Sequence, residues 1–504
     1  MNVAFRVDAS TQIGTGHIMR CMTLADELER SSAQIRFICR HLPEHLHEML
    51  VAKGYQVALL ESAPDKTTSD QLAHADWLGV SQAQDSIESE NALSGKAWDW
   101  LIVDHYALDV HWENTLRDTT KQIMVIDDIA DRQHDCDVLL DQNFYADLNY
   151  RYSGKVPQHC QLLLGPRYAL LRDEFQELHR HIKPREGIVK RLLVFFGGID
   201  ANNYTGRTIE ALTAIGLNNL QVDVVIGVLH PCREQIEDEC IKHGFTCHVQ
   251  TNQMARLIAD AGMAIGSGGS TIWERCCLGL PTITICAADN QRRQIEDASS
   301  VGLLYAPNEI KGEGDMVKHH LISLLENTRL RQLFSRNGIQ TVDGRGAIRV
   351  VDAMGYSGIE IRTATLEDSD RLFEWRNHPK IRAVSRNSDI IKRGDHDHWL
   401  ASVLNNTNQI LLIGQRNGKP IGVVRFDIQN SVAEVSIYLA PDANNSGWGK
   451  SLLRSAEIWF TKNYSGVNKI HAKVLASNER SHLLFRATGY QNNSTNYYKE
   501  LKKS

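Results

Sequence analysis

Val3-Ala4-Phe5-Arg6-Val7 runs through Asp8-Ala9-Ser10 into Ile13-Gly14-Thr15-Gly16-His17, and then into Met19–Glu29. The first stretch is an apolar run of strand length, and the last reads as a helix. Glycines at the junction let backbone approach a ligand closely. The N–H groups of a helix N-terminus favour an anion there. The segment therefore reads as the opening strand–loop–helix of a parallel α/β sheet.

Working outward, Ile35–Cys39, Gln56–Leu60, Trp100–Val103, Ile123–Ile126 and Val138–Leu140 are strands with helical stretches between them. After the polar join Lys183–Gly187 a second series begins: Leu192–Phe196, Val222–Ile226, Thr246–Gln250, Met263–Ile265 and Thr282–Ile285. Two such halves predict a two-lobed enzyme whose ligands sit beyond the C-terminal ends of the strands. The pattern changes near Gly355–Gly358. Ile359–Arg362 opens a mixed α+β unit with hairpin strands Gln409–Gln415 and Pro420–Ile428 and a strand Ala433–Leu439. A helix Lys450–Phe460, a strand Lys469–Leu475 and a last strand near Tyr497–Leu501 complete it. The expected domains are residues 1–185, 186–355 and 359–504.

The 504 residues are 42% hydrophobic and 23% charged, so a large core is available. The formal charge of −6 gives no basic field for nucleic acid. An apolar run of about 18 residues, the least that spans a membrane, is lacking. The N-terminus lacks the features of a signal peptide. A cytoplasmic location is expected, with the ten cysteines reduced. His230, Cys232, Cys240, His243, Cys247 and His248 lie near one another in sequence, but without the paired spacing of a zinc site. No metal is expected. The sequence is silent on oligomeric state.

Several polar residues fall at predicted strand ends. The imidazole of His17 can take a proton from water, or it can serve only as a helix cap. Arg6, Asp8, Asp104-His105-Tyr106 and Asp127-Asp128 end other strands of the first lobe; Asp128 is equally a helix cap. In the second lobe, Phe196-Gly197-Gly198-Ile199-Asp200 and Gly266-Ser267-Gly268-Gly269-Ser270-Thr271 are glycine turns that cradle phosphate through backbone amides. Glu274 lies about one turn into the following helix, placed for a ribose or for the helix dipole. No GxxxxGK[ST] loop and no convincing dinucleotide fingerprint is present, which disfavours kinases, P-loop ATPases and NAD enzymes.

Together, Arg6–Ser10, Gly14–Arg20, Asp127-Asp128, Asp135-Cys136-Asp137 and Leu140-Asp141-Gln142-Asn143 resemble the pseudaminic acid pathway hydrolase over about residues 1–354. That family cleaves UDP-2,4-diacetamido-2,4,6-trideoxy-β-L-altropyranose at the anomeric carbon. It has the GT-B fold and is related to the GlcNAc transferase of peptidoglycan synthesis. The resemblance implies that His17 activates water for an inverting attack at C1. It implies uracil near Thr251–Met254, ribose on Glu274, and diphosphate at Gly197, Gly198 and Gly266–Ser270. Gly14, Gly16, Arg6, Asp8, Tyr106, Asn290 and Gln291 are expected against the substrate. Loop amides stabilise the leaving UDP without a divalent ion.

Asn444-Asn445-Ser446-Gly447-Trp448-Gly449 before Lys450 resembles the pyrophosphate loop of GNAT acetyltransferases. Asn478-Glu479-Arg480-Ser481, Leu484-Phe485 and Gly489-Tyr490 resemble a second motif of that family. The match spans about residues 359–502 and includes Trp375–Pro379 and His398-Trp399. It implies acetyl-CoA as cosubstrate, held at Leu439, Asn444, Asn445, Gly447, Trp448, Gly449, Lys450, Asn478 and Ser481. Many members have a tyrosine acid where this chain has Phe485, and Lys473 replaces a glutamate base. Glu434 is the substitute base, or a solvent-facing strand residue; Tyr438 and Tyr490 are candidate acids or packing residues. With the hydrolase resemblance, the implied acceptor is the C4 amine of UDP-4-amino-4,6-dideoxy-N-acetyl-β-L-altrosamine. A UDP-dependent glycosyltransferase, a UDP-sugar sensor, and acetylation of a protein or antibiotic amine are the alternative readings.

Overall fold

In a computed structural model, residues 1–61, 72–216, 220–307, 313–356, 358–385, 387–416, 418–443, 448–493 and 496–500 are described. The chain forms two units, Met1–Met354 and Gly355–Ser504.

The first unit contains two parallel sheets. The N-terminal sheet has seven strands: β1 (Asn2–Val7), β2 (Gln34–Cys39), β3 (Gln56–Leu59), β4 (Trp98–Asp104), β5 (Thr120–Ile126), β6 (Val138–Asp141) and β7 (Gln161–Leu164). Their order is β3-β2-β1-β4-β5-β6-β7. Val3 to Val7 are all buried, because helices cover both faces of a parallel sheet and no polar alternation is needed. The strand order reverses between β1 and β4, and crevices for ligands open at such points. Val7 pairs with Asp104 there, which sets the end of β4 beside the loop that carries His17.

The second sheet comprises β8 (Arg191–Phe195), β9 (Gln221–Ile226), β10 (Thr246–Val249), β11 (Met263–Ser267) and β12 (Thr282–Ile285), in the order β10-β9-β8-β11-β12. Its reversal lies between β8 and β11, so the glycine turns after both strands meet at one edge. The helix Gly346–Ala353 returns to pack on the helix Gly16–Glu29 of the first lobe. This is a two-lobed architecture of two Rossmann-like parallel sheets.

The second unit is one sheet, β13 (Glu360–Thr363), β14 (Gln409–Arg416), β15 (Lys419–Gln429), β16 (Val432–Leu439), β17 (Lys469–Lys473), β18 (Gln491–Asn493) and β19 (Asn496–Glu500), in the order β13-β14-β15-β16-β17-β19-β18. Only β16 and β17 pair in parallel, and only from Val432 to Glu434. Beyond that point β16 continues to Leu439 with no partner strand on that side among the described residues. Strands β7 and β18 are absent from the sequence reading; both are edge strands of three or four residues, too short to show a period. Among the described residues, no helix is long and apolar enough to cross a membrane.

Candidate active sites

A cleft of about 510 Å³ separates the two lobes of the first unit. Gly14, Gly16, His17 and Tyr106 line it from one side. Gly197, Gly198, Ser267, Gly268, Gly269, Ser270, Glu274 and Gln291 line it from the other. Thr251 and Met254 also reach it. The Asn290 side chain lies outside the described residues.

Arg6 and Asp8 do not reach the cleft, contrary to expectation. Both are fully buried in an ion network beneath it. Arg6 Nη1 donates to Asp8 Oδ1 at 2.7 Å and Arg6 Nη2 to Asp85 Oδ2 at 2.7 Å. Arg40 Nη2 joins Asp85 at 2.8 Å, and the Arg40 amide donates to Asp8 at 2.7 Å. Charges removed from water require such partners, so these groups are committed to holding the strand ends. Gly266 is likewise behind the cleft: a Cβ there would meet the Phe195 carbonyl oxygen at 2.3 Å, so the residue permits close packing of β8 on β11.

The catalytic candidate sits on the first turn of the helix Gly16–Glu29. His17 Nδ1 lies 2.6 Å from Asp104 Oδ1. A carboxylate only accepts, so Nδ1 carries the proton and Nε2 is the basic nitrogen of a ring that lines the cleft. Arg20, one turn further on, grips Asp104 through Nε at 2.7 Å and Nη2 at 2.6 Å. Burial opposes ionisation of Asp104, but Arg20 and His17 overcome it and hold the carboxyl well below its usual range. The edge of Tyr106 packs against the imidazole at 4.7 Å. The Tyr106 hydroxyl donates to Asp128, which also accepts Arg20 Nη1 at 2.9 Å. Asp128 therefore faces the cleft and caps no helix, while Asp127 is buried against Arg132 and Tyr152. Sequence reasoning had no role for Arg20 and did not pair Asp104 with His17. The i, i+3 spacing from His17 to Arg20 was the only local signal.

Opposite, the turns after β8 and β11 need glycine for two reasons. Gly197 and Gly269 adopt φ of +101° and +83°. A Cβ on Gly227, after β9, would lie 2.0 Å from the Gly198 carbonyl oxygen, so that loop is seated directly on neighbouring backbone. Asp200 caps the next helix by accepting the Tyr204 and Thr205 amides at 3.0 and 2.8 Å. Glu274 is half-buried, and burial raises its carboxyl, opposed by Arg172. Arg172 lines the cleft and was not anticipated.

Beneath Asp128, burial and the charge of that neighbour push the Asp141 carboxyl up to about 7. An acid raised in the folded state binds more protons than the unfolded chain at intermediate pH, so its contribution to stability falls as pH rises. Between pH 5 and 8 the wild type is expected to lose roughly 3 kcal/mol relative to Asp141→Asn, read as diverging melting temperatures.

In the second unit, Trp448 and Gly449 open the helix Gly449–Asn463, followed by Lys450. Asn444, Asn445 and Gly447 lie outside the described residues. Leu439, at the end of β16, is half-buried next to Gly449, whose added Cβ would approach it at 4.0 Å. Asn478 Oδ1 accepts the Ser481 amide at 3.1 Å and caps the helix Glu479–Ala487, which leaves its Nδ2 donors for the pantetheine arm. Glu434 Oε2 accepts Lys473 Nζ at 2.8 Å and lies 3.4 Å from His471 Nε2, across the last pairing of β16 and β17. Phe485 is buried between Tyr490 and Tyr497, and the Tyr490 hydroxyl is committed to buried Glu457 at 2.6 Å. The GNAT pattern, acetyltransferase (GNAT) family, matches residues 370–490. The C-terminal unit is a GNAT domain.

Among the described residues, no group of three or more His, Cys, Asp or Glu could hold a metal ion. His230 packs on the Asp200 cap at 3.4 Å.

The region before the GNAT domain is homologous to two characterised-by-name proteins. One is the UDP-2,4-diacetamido-2,4,6-trideoxy-beta-L-altropyranose hydrolase of Campylobacter jejuni, 25% identical over 295 residues, which are 58% of this chain and 93% of that protein. The other is the spore coat polysaccharide biosynthesis protein SpsG of Bacillus subtilis, 21% identical over 355 residues, 69% of this chain and 96% of that protein. An uncharacterized protein of Methanocaldococcus jannaschii is 22% identical over 97% of both chains, GNAT domain included. A crystal structure of Acinetobacter baumannii MurG aligns with 70% of this chain and 99% of its own, at 11% identity and a TM-score of 0.49.

Proposed function

We propose that the chain is a bifunctional enzyme of nucleotide-sugar metabolism that hydrolyses UDP-2,4-diacetamido-2,4,6-trideoxy-β-L-altropyranose and N-acetylates the C4 amine of its precursor, UDP-4-amino-4,6-dideoxy-N-acetyl-β-L-altrosamine. The observation that carries the first half is an imidazole, oriented by a buried carboxylate, facing glycine turns across a cleft. His17 Nε2 takes a proton from water as the water oxygen bonds to C1. The bond from C1 to the β-phosphate oxygen breaks on the opposite face, and UDP leaves with inversion. Asp104 stabilises the imidazolium, and the amides of the turns after β8 and β11 receive the charge on UDP.

For the second half, the helix N-terminus at Gly449 receives the pyrophosphate of acetyl-CoA. Two guanidiniums, Arg376 and Arg425, face the hydroxyl of the half-buried Tyr438 and oppose the rise that desolvation causes in it. Arg376 Nη1 and Arg425 Nε are buried with no hydrogen-bond partner among the described residues. Arg425 is paired with Asp427 at 2.7 Å, so Arg376 is the cation that suits an amine carrying phosphate better than a polycationic amine. Glu434, paired with Lys473 and His471, is the candidate acceptor of the amine proton.

The test gives the full chain acetyl-CoA and the UDP-4-amino sugar, and follows coenzyme A thiol, UDP and sugar anomers by NMR. Free sugar and UDP with water as the only acceptor support hydrolysis; a requirement for an added acceptor refutes it. A Cβ at Gly449 meets only ordinary contacts, from Leu484 at 3.7 Å and Leu439 at 4.0 Å, so Gly449→Ala should fold. It is expected to lower thiol release about tenfold by displacing the pyrophosphate from the helix end, with UDP release unchanged.

A further inference from the structure

Asn143 lies in the Leu140-Asp141-Gln142-Asn143 run, at the floor of the cleft, and is 5% exposed. Its side chain spans the two lobes. Oδ1 accepts Trp273 Nε1 at 2.9 Å and Gln294 Nε2 at 2.9 Å, both from the second lobe. Nδ2 donates to Asp128 Oδ2 at 3.2 Å in the first lobe. The amide cannot be turned over, because an indole N–H only donates and a carboxylate only accepts. Trp273 is fully buried on the short helix that also carries Glu274. Asp128 in turn holds Arg20 and Tyr106, and Arg20 holds the Asp104 carboxylate that orients His17. A continuous run of hydrogen bonds thus joins the helix beside the glycine cradle to the basic imidazole. Only a side chain with one acceptor end and one donor end completes it.

We propose that Asn143 is a positioning residue that sets the register of the nucleotide lobe against His17, so that bound substrate presents its anomeric carbon to the base. The inference rests on the hydrolase reading. It predicts a loss confined to the chemical step, because the UDP cradle is built from second-lobe backbone that Asn143 does not form.

Asn143→Asp keeps an acceptor for Trp273 but sets a second carboxyl against Asp128. Trp273→Phe removes the indole donor from the far side, outside the cleft lining. Both are compared with wild type for kcat on the UDP-sugar and, separately, for UDP affinity by calorimetry. We expect kcat to fall about thirtyfold for Asn143→Asp and about fivefold for Trp273→Phe, with the UDP dissociation constant within threefold of wild type in each. If kcat is unchanged in the single variants, or falls only in proportion to UDP affinity, the proposal is overturned. A wild-type chain that binds UDP but releases none from the sugar overturns the hydrolase reading itself, and this inference with it.

Discussion

His17→Ala is expected to lower UDP release from the UDP-sugar by about 10²–10⁴-fold, the range that a positioned general base contributes. Acetyl transfer by the same preparation should proceed at the wild-type rate. The imidazole is the group lining the cleft whose basic nitrogen is set by a buried partner: Asp104 accepts the hydrogen bond of Nδ1–H at 2.6 Å, and Nε2 is left to accept a proton. Removing the ring leaves Asp104 with both Arg20 contacts, so the buried charge keeps its partner and the fold should survive. UDP affinity should therefore hold within a few-fold, since the opposite wall is untouched. A residual rate near that of wild type would mean that another group, or none, activates the water. Paired assays of UDP and of coenzyme A thiol on one sample separate that outcome from a general loss of structure.

Asp104→Asn is expected to have two effects of different kind. An amide offers one acceptor and one donor where the carboxylate offered two acceptors. Oδ1 accepts both His17 Nδ1–H and Arg20 Nη2 while Oδ2 accepts Arg20 Nε, so one Arg20 N–H faces the amide nitrogen in either orientation. When that nitrogen takes the Oδ1 position it also faces His17 and favours the tautomer with the proton on Nε2, which cannot accept one from water. A fall in kcat of about 10²-fold or more follows, at nearly unchanged UDP affinity. The second effect is on stability. Arg20 is buried, with side-chain exposure of 7%, and keeps only Asp128 as a full counter-charge. Breaking one partner of a buried pair costs about 3–5 kcal/mol, which Asp128 reduces. The tautomer is read directly from the nitrogen shifts of the His17 ring by NMR. A variant with the wild-type tautomer but a low rate would move the role of Asp104 from orientation to stabilising the imidazolium.

Apart from the short edge strands β7 and β18, the strands were legible: in the two Rossmann-like sheets because buried parallel strands are continuous apolar runs, and in the GNAT sheet because turn residues punctuate apolar stretches of strand length. That same continuity concealed which way Arg6 points. A strand covered on both faces has no polar alternation, and nothing local distinguishes a residue facing the cleft from one in the ion network below. Asn478 posed the same problem in another form, since an asparagine before a helix suits a cap and a ligand equally, and the structure spends its oxygen on the cap.

What the sequence determined by itself was local: the two-lobed α/β class, the glycine loops at strand ends, His17 at a helix start, and the GNAT helix that begins at Gly449. Each depends on residues within about one turn of one another, where short-range backbone preferences decide. Tertiary structure decided the partners. Asp104 stands 87 residues from His17 and is delivered by strand pairing, and Asn143 stands 130 residues from Trp273 and meets it only when the lobes dock. Hydrogen bonds form between groups that a whole fold brings within 3 Å or so, and no local pattern of side chains encodes which distant residue that will be.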